Sequence, residues 1–184
     1  MGNIKERLDN MKMEIQKEEF LKGEGLSNEV NIRMFCYDPK DEMNVRYFVE
    51  HLENEALSCR VHIVDLYKVF LTICEDKRIL NRIPQLEKKR GKDFLAKQFE
   101  KTCNANEFAK KIVSELEDDT DVLLITGVGK VFPFMRVHSL LNNLQDYCDN
   151  KPIVVMYPGT FDGHYVKLFN QLKANEYYRA FNMI

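Results

Sequence analysis

Residues 121–138 of the chain read DVLLITGVGKVFPFMRVH, and this stretch decides the predicted fold. It begins with an unbroken apolar run, which is typical of a strand buried on both faces of a parallel sheet. Two glycines and a lysine follow, and we predict that a helix begins near Pro133, because proline suits the first turn of a helix. A strand, a glycine turn and a helix in this order form one step of an α/β fold.

Four other segments have strand patterns. They are residues 31–39 (NIRMFCYDP), 60–67 (RVHIVDLY), 151–159 (KPIVVMYPG) and the aromatic segment 175–184 (NEYYRAFNMI). Apolar residues at helical spacing precede the first of these strands, in residues 4–15, and follow it, in residues 45–57. A strand, a helix and a strand in succession place the first two strands parallel to each other. The sequence therefore predicts an α/β fold: a three-layer, mostly parallel, Rossmann-like sheet of about five strands with helices on both faces.

The stretch from residue 68 to residue 117 contains no strand pattern and is rich in Lys and Glu at helical spacing. We interpret it as a helical insertion between the second and third strands. Residues 102–106 (TCNAN) mark a break between two of its helices, because asparagine is a preferred N-cap. No repeat or low-complexity linker divides the 184 residues, so we predict a single domain over residues 1–184.

The composition disfavours several classes of protein. A formal net charge of −2 gives no global field that attracts a polyanion, so direct DNA binding is disfavoured. Five cysteines occur singly, without zinc-ligand spacing, which indicates a reduced thiol state and no metal site. No apolar run approaches the roughly 18 residues that span a bilayer, and the N-terminus lacks the apolar core of a signal peptide. We therefore expect a cytoplasmic protein without membrane contact.

The phrase GVGK fails two nucleotide-binding patterns. A P-loop needs four residues between its glycines and a Ser or Thr after its lysine, because the hydroxyl binds magnesium. Here one residue separates Gly127 from Gly129, and Val131 follows Lys130. A Rossmann fingerprint would need a third glycine where Phe132 stands.

The same loop still lies where α/β proteins build their sites, at the carboxyl edge of the sheet. Its amides and lysine could hold an anion, and the candidate ligand-binding residues are Gly127, Gly129, Lys130 and Asp65. The alternative is that the glycines only permit a tight turn. Asp38 and Asp65, at two strand ends, also have two interpretations: metal-binding carboxylates or helix N-caps.

The sequence indicates no catalytic constellation. His164 follows Asp162, whose carboxylate could orient the imidazole, whereas His138 has the position of a packing or capping residue. The GxSxG pattern does not occur, and no cysteine lies in an evident turn. We therefore predict a non-catalytic protein without a resident cofactor.

Four phrases follow one another in the second half of the chain: LLITGVGKVFPFMRVHSLLNNLQ, PIVVMYPGTFDG, LFNQL and NEYYRAF. Together they resemble the BrxB family, a small component of the BREX bacteriophage-resistance systems. Phe161 and Glu176 depart from the usual Tyr and Asp of that family, so any role of a hydroxyl at position 161 would be lost. The resemblance implies a cytoplasmic phage-defence protein that works beside a large ATPase, an adenine-specific DNA methyltransferase and a PglZ-type, alkaline-phosphatase-like protein. It implies no catalytic residue that can be placed here.

Three functions remain open at this stage. The first is docking of another BREX component, with the PglZ-type protein as the preferred partner, through aromatic and arginine anchors. Those anchors are Phe132, Phe134, Arg136, Tyr177, Tyr178 and Arg179. The second is degenerate nucleotide or phosphate binding at the carboxyl edge. The third is a DNA contact through Lys88, Lys89, Arg90 and Lys92, which the acidic neighbours Glu87 and Asp93 weaken.

Overall fold

The computed structural model describes residues 3–23, 31–145, 147–148, 151–162, 164–172, 175–176 and 181–183. Its centre is a sheet of parallel strands with a short antiparallel extension. The strands are β1 (Ile32–Tyr37), β2 (Val61–Asp65), β3 (Val122–Thr126), β4 (Ile153–Phe161), β5 (Tyr165–Leu168), β6 (Asn175–Glu176) and β7 (Phe181–Asn182).

The parallel strands lie in the order β2-β3-β4-β1-β7. Ile32 of β1 is in register with Ile153 of β4, and Val61 of β2 is in register with Val122 of β3. β5 pairs antiparallel with the end of β4, and β6 pairs with β5. This arrangement confirms the predicted mostly parallel sheet. β1 and β2 are parallel as predicted, although β3 and β4 lie between them.

Helices cover the sheet on two sides. They are α1 (Ile4–Glu14), α2 (Glu18–Leu21), α3 (Glu42–Leu52), α4 (Leu66–Asp76), α5 (Ile83–Arg90), α6 (Lys92–Thr102), α7 (Ala105–Glu115), α8 (Val128–Val131) and α9 (Val137–Gln145), with 3-10 turns at Pro39–Asp41 and Leu80–Arg82. The connection from β2 to β3 is helical, as predicted. Asn104 caps α7, because its side chain accepts a hydrogen bond from the amide of Glu107 at 3.1 Å.

Alternate side chains of the central strands face two separate cores. Leu123 and Ile125 of β3 pack against the side formed by α4, α6, α7 and α9. Val122 and Leu124 pack against the side formed by α1 and α3. All four side chains are fully buried, since successive residues of a strand point to opposite faces and both faces are covered. The predicted three layers are therefore present.

The helix that we predicted to begin near Pro133 begins at Val137 instead. The residues after β3 form only the single turn α8, which ends where Phe132 is extended, with φ −67° and ψ 137°. The residue before a proline avoids helical backbone, so Phe132 cannot continue the turn. Residues 132–136 consequently form a connection between α8 and α9 rather than a first helical turn.

The predicted C-terminal strand corresponds to two short strands with different partners. β6 pairs with β5, whereas β7 pairs with β1, where Arg33 is in register with Phe181. Residues 177–180 between them lie outside the described residues.

Candidate functional site

The carboxyl edge of the sheet brings together the loop residues that the sequence predicted as a site. Asp65 ends β2 in register with Thr126, the last residue of β3. Its Oδ2 accepts a hydrogen bond from Nζ of Lys130 at 2.6 Å, and its Oδ1 accepts one from the amide of Tyr67 at 2.9 Å. Asp65 and the GVGK loop therefore contact each other, as the parallel topology predicts.

The environment of Asp65 favours its ionised form. The side chains of Asp65 and Lys130 are 16% and 28% exposed. Burial alone would raise the pKa of Asp65, but hydrogen bonds from Lys130 and from backbone amides outweigh it, so this pKa lies below its ordinary value. The carboxylate both caps α4 and neutralises Lys130. Of the two interpretations left open for Asp65, metal ligand or N-cap, the structure shows the cap.

The two glycines of the loop permit this close packing. Gly127 has a left-handed backbone, with φ 78°, and a Cβ there would lie 2.6 Å from Oδ1 of Asp65. A Cβ at Gly129 would lie 2.7 Å from the ring of Phe169. Since Lys130 is already paired, an anion at this loop would have to displace the carboxylate of Asp65. Phosphate binding by Gly127, Gly129, Lys130 and Asp65 stays a prediction.

A cleft of about 270 Å³ opens beside the loop, between the α8–α9 connection and the β4–β5 hairpin. Its apolar lining consists of Val128, Phe132, Met135, Val137, Val166, Leu168 and Leu172. β5 can pair this closely with β4 because Gly159 of β4 has no side chain: a Cβ there would lie 2.2 Å from the carbonyl oxygen of Lys167. The cleft is thus built from two segments: residues 128–138, which lead into α9, and residues 157–172, which follow α9 in the chain.

Three polar side chains line the same cleft: the guanidinium of Arg136, the imidazole of His138 and the phenol of Tyr157. Arg136 is exposed, His138 is half-buried and Tyr157 is 3% exposed. None of these side chains forms a hydrogen bond or an ion pair with another described residue. An apolar cleft with a few convergent polar groups is the usual form of a binding site. We call this cleft, with its three polar residues, the Arg136 cleft.

The charges in the Arg136 cleft follow from burial. Burial lowers the pKa of His138, and the positive charge of Arg136 lowers it further. Burial also raises the pKa of Tyr157. At neutral pH the imidazole is therefore uncharged and the phenol keeps its proton, while the guanidinium stays positive. Among the described lining residues, Arg136 supplies the single full charge.

The residues predicted to contact a partner have different surroundings. Phe132 and Arg136 line the cleft. The ring of Phe134 instead stacks on Phe70, with centroids 5.4 Å apart, and meets Phe99 edge-on at 5.2 Å. Phe134 is therefore used in packing within the chain. The other predicted anchors, Tyr177, Tyr178 and Arg179, lie outside the described residues.

Two carboxylates considered in the sequence bind backbone amides. Oδ1 of Asp162 accepts hydrogen bonds from the amides of His164 and Tyr165 at 2.9 and 2.8 Å, and these bonds hold the pKa of Asp162 below its ordinary value. Asp162 therefore stabilises the backbone of the turn. The sequence indicated that its carboxylate could orient the imidazole of His164, whereas these hydrogen bonds come from backbone amides. Asp38 accepts a hydrogen bond from the amide of Lys40 at 3.1 Å and caps a 3-10 turn.

Sequence reasoning missed two of the three polar residues of the cleft. Tyr157 lies in an apolar strand, which predicts packing, and His138 has the position of a capping residue. The available signal for Tyr157 was a hydroxyl that follows four apolar residues of β4 and lies one residue before Pro158, where the parallel pairing with β1 ends. Such an end lies at the edge where α/β proteins bind ligands.

Over the described ranges, no group of three or more His, Cys, Asp or Glu side chains is placed to hold a metal ion. No helix in the same part of the chain has both the length and the apolar character that crossing a lipid bilayer requires.

The chain is similar to proteins of one named family. A family model described as "BREX protein BrxB" matches residues 62–183, a range that includes the Arg136 cleft. A BREX protein BrxB from Bacillus cereus (strain H3081.97) is 39% identical over 191 aligned residues, covering 100% of this chain and 99% of that protein. A BREX protein BrxB from Escherichia coli O9:H4 (strain HS) is 28% identical over 184 residues, covering 97% and 90% respectively. No solved structure matches the chain.

Proposed function

The chain belongs to the BrxB family, a component of BREX phage-resistance systems, and from this premise we propose that it is a non-catalytic subunit that docks a partner protein of the same system. The partner that we propose is the PglZ-type protein, and the docking site is the Arg136 cleft. Docking would help to assemble the defence complex. The compartment that we propose is the cytoplasm, where free thiols such as the cysteines of this chain stay reduced.

The exposed guanidinium of Arg136 in the cleft lining is the observation that most supports docking there. Among the described residues, ten other Lys and Arg side chains form ion pairs. Arg136 forms none with the described residues and lies beside the ring of Phe132 in the cleft lining. Arginine and aromatic side chains contribute a large share of the binding energy at protein interfaces.

Co-purification from cells that express a complete BREX operon tests this proposal. We expect the tagged wild-type chain to retain the PglZ-type protein. Phe132→Ala combined with Arg136→Glu should retain at least about tenfold less, because truncating a dominant interface residue costs about 2 kcal/mol or more. The matched control combines Phe94→Ala with Arg82→Glu, an exposed aromatic and an exposed arginine outside the cleft.

Two outcomes would overturn parts of this proposal. If the wild-type chain retained no BREX component, the docking function itself would be rejected. If both double variants retained the partner equally well, the Arg136 cleft would be rejected as the docking site.

Contact with nucleic acid is a second candidate function, favoured by the charges of residues 78–101. This stretch contains eight Lys and Arg but three Asp and Glu, in a chain whose formal net charge is −2. All eight cations are exposed: Arg78, Arg82, Lys88, Lys89, Arg90, Lys92, Lys97 and Lys101. None of them forms an ion pair with a described residue. A basic surface without internal partners attracts polyanions.

One face of α6 carries two lysines and an exposed aromatic ring. Phe94, Lys97 and Lys101 have the spacing of one helix face, and Arg90 lies over the ring of Phe94 at 5.2 Å. Asp93 lies four residues before Lys97 and therefore on the same side of α6 as that lysine, so its carboxylate offsets part of the positive charge. A basic face with an exposed aromatic ring suits a nucleic-acid backbone and its bases.

Fluorescence anisotropy with labelled DNA at several salt concentrations tests this second function. We expect binding at about 50 mM salt and a steep loss of affinity as salt rises. Lys97→Gln with Lys101→Gln should lower the slope of log affinity against log salt by about two. Lys5→Gln with Lys167→Gln, which changes two exposed lysines elsewhere, should leave the slope unchanged. Absence of binding at low salt would eliminate this function.

A further inference from the structure

The Arg136 cleft contains a tyrosine hydroxyl that forms no hydrogen bond with a described residue. It belongs to Tyr157, which is 3% exposed and lines the cleft. A phenol hydroxyl in the wall of a largely apolar cleft is available as a hydrogen-bond donor to a ligand. A ligand in the cleft would therefore accept a hydrogen bond from Tyr157. Arg136 and His138 provide further nitrogen groups in the same lining.

The charge of the cleft limits the charge of its ligand. Arg136 is positive, whereas burial and the charge of Arg136 keep His138 neutral near pH 7. A carboxylate carries one negative charge and accepts several hydrogen bonds. A phosphate monoester carries about 1.5 to 2 negative charges at this pH. The single guanidinium therefore matches a carboxylate better than a phosphate.

The size and lining of the cleft limit the rest of the ligand. Its volume of about 270 Å³ is below the roughly 300–1,000 Å³ that is usual for small-molecule sites. Phe132, Val166 and Leu168 are among the apolar side chains that line it. These properties suit one inserted apolar side chain better than a nucleotide.

We propose that the Arg136 cleft binds a segment of a partner protein that inserts one apolar side chain and places an adjacent carboxylate against Arg136 and Tyr157. This inference rests on the proposed docking function and specifies the chemistry of the docked segment. The carboxylate is either an acidic side chain next to the inserted residue or the C-terminal carboxylate of the partner. Both sources present the same group to the same donors.

Three blocked probes, titrated into the full chain and followed by amide NMR signals, test the proposal. N-acetylphenylalanine has a chain-end carboxylate, N-acetylphenylalanyl-aspartic acid amidated only at its α-carboxyl has a side-chain carboxylate, and N-acetylphenylalaninamide has none. We expect at least one carboxylate probe to bind about tenfold or more tightly than the neutral probe. The tighter of the two identifies the source of the carboxylate.

Variants of the cleft sharpen this test. Arg136→Gln and Tyr157→Phe should each lower the affinity of the tighter carboxylate probe about tenfold and leave that of the neutral probe unchanged. Tyr157→Phe removes only the hydroxyl, so the packing of the ring is kept. Arg82→Gln, which changes an exposed arginine outside the cleft, is the matched control.

Several results would overturn the inference. They are equal binding of the neutral and carboxylate probes, binding of none of them, tighter binding of phenyl phosphate, and unchanged affinity in both cleft variants. Co-purification of a BREX partner without probe binding would reject this inference and leave the docking function in place. Probe binding without co-purification would reject docking of a BREX partner and leave only the carboxylate-binding chemistry of the cleft in place.

Discussion

Asp65 caps α4 through one carboxylate oxygen and binds Lys130 through the other. Both side chains are largely removed from water, so either charge would be poorly solvated without its partner. The pair connects the end of β2 to α8, and its two residues are 65 positions apart in the chain. It therefore fixes the position of α8, which provides Val128 to the wall of the cleft, relative to the end of β2.

Substitutions of Asp65 separate its role as the N-cap of α4 from its ion pair with Lys130. Asparagine is also a good N-cap, but it leaves Lys130 without a carboxylate. We therefore expect Asp65→Asn to lower the free energy of unfolding by about 1–3 kcal/mol. Asp65→Ala also removes the cap and should cost about 1 kcal/mol more. Urea unfolding at neutral pH measures both changes. An Asp65→Asn variant as stable as the wild type would show that the ion pair contributes nothing.

The same pair should make stability depend on pH. The pKa of Asp65 is lower in the folded chain than its ordinary value of about 3.9. Its contribution is present above the unfolded pKa and is lost as pH falls through the folded pKa. The difference in unfolding free energy between wild type and Asp65→Asn should therefore shrink below about pH 4. A difference that stays constant from neutral to acid pH would contradict this expectation.

The carboxylate of Asp65 leaves no space for a side chain at Gly127. An alanine there would have an unfavourable left-handed backbone, and its Cβ would collide with Oδ1 of Asp65. We expect Gly127→Ala to lower the free energy of unfolding by about 2–3 kcal/mol, and by about 1 kcal/mol less in the Asp65→Ala background. A double-mutant cycle measures this coupling. Strictly additive losses would assign the whole cost to the backbone.

At the scale of elements, an aromatic cluster joins three parts of one core. Phe70 of α4, Phe99 of α6 and Phe134 of the α8–α9 connection have ring centroids 5.1 to 5.4 Å apart. Aromatic pairs of this geometry stabilise a fold beyond the area that they bury. The cluster thus attaches the helices between β2 and β3 to the connection that lines the cleft.

Phe132 and Phe134 lie two positions apart and should differ in their effects. Phe134→Ala removes one ring of the cluster and should lower the free energy of unfolding by about 2–4 kcal/mol. Phe132→Ala should cost about 1 kcal/mol or less and should weaken partner retention instead. Urea unfolding and co-purification of both variants measure the two effects. The opposite ranking in stability would contradict the assignment of Phe134 to packing.

The sequence correctly predicted the features that depend only on residues close together in the chain. The apolar run of β3 predicted a strand covered on both faces, because it leaves no polar face for solvent. Asn104 was recognisable as a cap, since capping depends on residues within one turn. Pro133 led to a wrong prediction of where the helix begins. The restriction that Pro133 imposes on Phe132 ends α8, and α9 begins at Val137, four residues after Pro133.

The cleft depends on contacts that no local pattern contains. Tyr157 and Arg136 line one cleft because β5, which was not among the predicted strands, folds back on β4 beside α9. Asp65 and Lys130 were predicted to lie near each other, because the ends of parallel strands share an edge. Their direct pairing depends on the loop conformation that the positive φ of Gly127 permits.

At the scale of the whole molecule, β1 is essential to the sheet although it precedes residues 62–183, which the family model matches. It lies between β4 and β7, and its fully buried Ile32 and Phe35 belong to opposite cores. We expect a fragment of residues 60–184 to lack a cooperative unfolding transition, because β4 would lose a paired neighbour and both cores would be incomplete. Thermal unfolding followed by circular dichroism checks this. A transition as sharp as that of the full chain would contradict it.

Photo-crosslinking in cells that express a complete BREX operon tests most directly the claim that the chain docks a partner through the Arg136 cleft. A photoreactive amino acid replaces Phe132 in the cleft or, as a control, the exposed Phe94 of α6. We predict that position 132 captures the PglZ-type protein and that position 94 captures it only at background level. Equal capture from both positions, or capture of no BREX component from position 132, would contradict the claim.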